Sequence, residues 1–75
     1  SNNEEVLADV FGVVTPENRF LSDEMVRTIN LLDEKRISLE QALAIVEDYK
    51  LKSYDPRVVH FLEGVAELMN QTAGV

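Results

Sequence analysis

Cysteine is absent from the chain, which excludes disulfides, a thiolate nucleophile and any zinc or iron–sulfur site built on sulfur. A small domain without such staples suits a reducing compartment. Histidine occurs once, at His60. A metal site needs three or four ligands, and a serine nucleophile needs an adjacent base, so a lone imidazole supports neither. Glycine is confined to Gly12, Gly64 and Gly74, too scattered for a loop that cradles phosphate. Cations are scarce as well: seven against fourteen acids, a net charge of −7. Such a field repels a phosphate backbone, so nucleic acid is not an expected partner, and the plain consequence of the acidity is solubility. Apolar runs are short. Val13–Val14 and Ala42–Val46 fall far below the roughly 18 residues of a membrane span, and no basic segment precedes an apolar stretch in the manner of a signal peptide. A soluble, cytoplasmic chain that does not engage membranes is expected.

Seventy-five residues leave room for one core and modest stability. The expectation is a single all-α domain over residues 1–75, a small bundle of three to four helices, with residues 1–3 and 71–75 frayed. Ser1-Asn2 fits the remnant of a cleaved tag, in which case the chain is an excised piece of a longer one. No stretch alternates as a strand does, and no internal repeat stands out.

Helix punctuation is what the sequence has in abundance. Residues 4–11 place Glu4 and Glu5 in a first turn after Asn3, set Val6, Leu7, Val10 and Phe11 on one side, and stop at Gly12, as two turns of helix docked on the rest. Residues 12–20 read as a loop with one helical turn, begun by Thr15 and Pro16. A helix of about three turns is expected from a Ser22 cap, with Met25, Ile29 and Leu32 as its stripe and Lys35-Arg36 at its end.

The next helix opens on Ser38 and Gln41, a capping box, with Ile37 and Ala42 as its hydrophobic staple. It should run to about Lys50, burying Leu39, Leu43, Val46 and Tyr49. Asp55-Pro56 starts the last helix, with Tyr54 placed to staple against Val59 and an end near Asn70. Its apolar residues cover more than one stripe, which suits a helix buried on two sides or one with a face left for a partner. Gly64 interrupts that run at a cost of about 1 kcal/mol relative to alanine, a cost that close helix packing would explain.

Candidate chemistry is sparse. His60 and Glu63 stand at the i, i+3 spacing open to two helix-borne metal ligands, with Asp55 nearby; a solvated or capped histidine is the simpler reading. No catalytic residue, metal site or cofactor is expected. Lys35, Arg36, Lys50 and Lys52 form the one basic cluster. They read either as compensation of helix dipoles or as a docking spot for an anionic ligand. Apolar surplus is the stronger hint: Phe11, Val13, Val14, Phe20 and Leu21 flank the loop and, with the broad apolar surface of the last helix, are expected to exceed what so small a core hides, leaving some exposed for binding. Val10, Phe11, Phe61, Val65, Leu68 and Met69, on the first and last helices, are the expected contacts for another protein or for self-association; the alternative is that all are core.

The run Ser38-Leu39-Glu40-Gln41-Ala42-Leu43 followed by Tyr54-Asp55-Pro56-Arg57-Val58-Val59-His60-Phe61-Leu62 resembles the C-terminal helices of HD-GYP-type cyclic-dinucleotide phosphodiesterases. In that family an "SLEEAL" helix precedes "FDPxVVxxF". The likeness spans Ile37 to Leu62, under half of the chain. The family's metal-binding His-Asp pair and its GYP loop are missing, so no active site carries over. Leu21-Ser22-Asp23-Glu24 with Ile37-Ser38-Leu39-Glu40-Gln41-Ala42 is similar, more faintly, to the helical N-terminal domains of type II secretion and pilus ATPases. Some of those bind cyclic di-GMP, through an arginine-leucine-glycine motif that this chain lacks. Both likenesses imply bacterial signalling or secretion, and neither gives a residue-level site. Well-formed helices without reactive groups make a noncatalytic interaction module of a bacterial regulatory or secretion-related protein the leading expectation, with a cyclic-dinucleotide sensor near Lys35, Arg36, Lys50 and Lys52 as the alternative.

Overall fold

A computed structural model describes residues 15–74. Among them are three helices, α1 (Pro16–Asp33), α2 (Leu39–Lys52) and α3 (Pro56–Ala73), and no strand. The all-α expectation holds. The expected first helix, residues 4–11, and the loop at 12–14 lie outside the described residues.

The start of α1 differs from expectation. Thr15 is a full N-cap, its side chain accepting the Asn18 N–H at 3.1 Å, and Pro16 opens an 18-residue helix rather than a single turn. Nothing from Glu17 to Leu21 breaks helical geometry, and Leu21 extends the Met25, Ile29, Leu32 stripe back by one turn. Ser22 is therefore not a cap. It is buried in mid-helix, where Arg19 and Asp23 form an exposed i, i+4 pair at 3.3 Å.

Beyond its Glu34 cap, α1 is closed by Lys35, whose φ of 61° is left-handed. Its N–H donates to the Leu32 carbonyl at 3.0 Å, and the Arg36 N–H to that of Leu31 at 2.9 Å. This is a Schellman closure with lysine where glycine is usual. Two residues later the box forms as expected: the Gln41 N–H donates to Ser38 Oγ at 3.1 Å and the Ser38 N–H to Gln41 Oε1 at 2.8 Å. Helix α2 runs two residues beyond Lys50, buries Ala42 and Val46, and leaves Leu39, Leu43, Ile45 and Tyr49 partly covered.

Asp55 caps α3, accepting the Arg57 N–H at 2.9 Å. The Tyr54 staple does not form, for that side chain is wholly exposed. Ser53 and Asp55 are both extended, and successive side chains of extended backbone point to opposite sides. With Ser53 and Asp55 turned toward the helix ends, Tyr54 faces water. Helix α3 continues past Asn70 to Ala73, with the Gly74 N–H donating to the Asn70 carbonyl.

Met25, Ile29, Val46, Leu62, Val65 and Met69 lie at the centre of the core. Helix α3 contacts both other helices and packs most extensively on α2. Its buried residues, Phe61, Leu62, Val65 and Met69, form one stripe at i, i+1, i+4 and i+8, flanked by partly covered Val58, Ala66 and Leu68. Gly64 faces away from that stripe. Among the described residues a Cβ there would meet nothing within 4 Å, so packing of α1 or α2 against α3 is not the reason for this glycine.

Candidate functional site

The expected partner contacts divide three ways. Phe61, Val65 and Met69 are 3%, 1% and 0% exposed. As parts of the α3 stripe they hold the bundle together and offer no surface, which corrects their assignment. Leu68 is partly covered at the stripe's edge. Val10 and Phe11 lie outside the described residues.

The four cations do not converge. Lys35 and Arg36 stand before α2 and Lys50 and Lys52 at its end, about 20 Å apart at 1.5 Å per residue. Three of them also face carboxylates: Arg36 with Glu34 at 3.9 Å, Lys50 with Glu47 at 3.6 Å and Lys52 with Asp48 at 2.7 Å. Hydrogen bonding to Asp48 raises the Lys52 pKa. Lys35 takes the left-handed position that closes α1. A single anion pocket built from all four is ruled out by this spacing.

His60 and Glu63 are both exposed on α3. Among the described residues no group of three or more acids and histidines stands close enough to hold a metal. None of the described acids is buried; the buried polar side chains are Ser22 and Thr28, and Thr28 donates its hydroxyl to the Glu24 carbonyl at 2.8 Å. At Asp55, the Arg57 guanidinium pulls the carboxyl pKa down and has its own raised in return. Both groups are at the surface, where such a pair supports a helix start rather than acid–base chemistry.

Three large apolar side chains are nevertheless exposed, Leu51 and Tyr54 where α2 gives way to α3 and Phe20 near the start of α1. Phe20 is 60% exposed, Leu51 85% and Tyr54 100%. A shallow depression of about 260 Å³ brings Phe20 and Leu21 of α1 beside Tyr49, Lys52, Ser53 and Val58. Tyr49 and Lys52 also line a second, open groove between α1 and α2, with Thr28, Leu31, Ala44 and Ile45. The Glu24–Arg27 and Asp48–Lys52 pairs edge it.

Of the apolar surplus expected beside the first loop, Phe20 is exposed and Leu21 is buried, while Leu51 was missed although helical periodicity points to it. Leu51 follows buried Ala42 by nine residues and Phe20 precedes buried Ile29 by nine, which is two and a half turns and thus the opposite face. Tyr54 carried no such signal. Its exposure depends on the extended connection, which helix patterning does not describe.

No described helix is long and apolar enough to cross a membrane. Comparison of the chain with protein-family models, curated proteins and solved structures finds no match. Any functional reading therefore stands on the geometry above.

Proposed function

We propose that the chain is a noncatalytic helical interaction module that binds another protein, or a second copy of itself, through the apolar end where α2 meets α3. One observation carries this reading: Phe20, Leu51 and Tyr54 face water on a bundle whose titratable groups are dispersed over its surface. Exposed aromatic side chains such as Tyr54 are enriched among the anchors of protein interfaces, and apolar surface left in water is what such interfaces cover. A regulatory or secretion-related parent is part of the proposal on the sequence resemblances alone; the geometry does not bear on it. The cyclic-dinucleotide alternative gains no support from cations divided between the two ends of α2.

Sedimentation equilibrium over a wide concentration range tests self-association, and capture on the immobilised chain tests a foreign partner. The double variant Leu51→Ser with Tyr54→Ser should weaken either association at least about tenfold, equivalent to about 1.4 kcal/mol. Helical circular dichroism should be unchanged. A monomer at every concentration, together with captured proteins that the double variant retains equally well, would overturn the assignment.

A further inference from the structure

We draw no further inference here: the strongest candidate, the open groove between α1 and α2 floored by Leu31, Ile45 and Tyr49, carries nothing because nothing in the structure shows what covers it.

Discussion

The two connections of the bundle treat apolar side chains in opposite ways. Between α1 and α2 the backbone curls through Lys35, returns two N–H groups to the carbonyls of Leu31 and Leu32, and packs Ile37 against the core. Between α2 and α3 it runs extended through Ser53 and Asp55, with Leu51 and Tyr54 facing water on either side of Ser53. The first connection is closed by its own hydrogen bonds and its own isoleucine. The second is held by weaker local bonds, the Ser53 N–H to the Lys50 carbonyl at 3.2 Å and the Asp55 N–H to Ser53 Oγ at 3.3 Å. One connection covers its large apolar group and the other leaves two in water, and the proposed binding surface rests on that difference.

The largest expected effect separates display from support. Leu62→Ala, at a fully buried position, should cost about 2–5 kcal/mol in denaturant unfolding, because the transferred methylenes and the cavity both count. Tyr54→Ala and Leu51→Ala should stay within about 0.5 kcal/mol of the parent chain. A loss above about 1 kcal/mol at Tyr54 would mean that it supports the fold, and the contrast between the two ends would collapse.

That contrast was only half legible in the sequence. The box at Ser38 and Gln41, the Asp55-Pro56 start and the stripe of α1 follow from residue types at fixed spacings, and local rules capture such features. Burial of Phe61, Val65 and Met69 rather than display did not follow, because an apolar stripe looks the same whether a neighbouring helix or a partner covers it. Thr15-Pro16 reads as a brief turn in the sequence because Ser22-Asp23 imitates a start. Two caps seven residues apart compete, and the longer helix prevails because it brings Leu21 into the core. The left-handed Lys35 had no sequence signal at all, since glycine is the residue that usually announces that conformation.

At the closed end, Ser38→Ala removes the acceptor for the Gln41 N–H and should cost about 1 kcal/mol. Chemical denaturation of the variant measures it. A loss of a few tenths would show that the Gln41 side chain, bonded to the Ser38 N–H, holds the turn without its partner.

A smaller effect of opposite sign is expected three residues earlier. Lysine at φ 61° holds a conformation costing a non-glycine residue roughly 1–2 kcal/mol, whereas glycine loses roughly 0.5–1 kcal/mol more backbone freedom on folding. Lys35→Gly should therefore stabilise the chain by about 0.5 kcal/mol net, read as a higher denaturant midpoint at unchanged slope. Destabilisation would mean that the lysine side chain contributes more at this turn than the backbone strain removes.

The smallest effect tests the open end through pH. The Arg57 side chain donates to Asp55 at 3.3 and 3.1 Å, and the Arg57 backbone N–H donates at 2.9 Å. These bonds favour the carboxylate and lower its pKa, the side-chain bonds most of all. A carboxyl with a lowered folded-state pKa adds stability that is present above the ordinary unfolded value near about 4 and lost as pH falls through the folded one. Because the pair is exposed, the increment is small and shrinks further with salt. Asp55→Asn keeps a capping oxygen but no charge, so urea midpoints of the two chains should differ at neutral pH and converge in acid. A gap that persisted unchanged into acid would assign the whole effect to capping geometry, and the ion pair at the start of α3 would then contribute nothing to holding the connection that displays Tyr54.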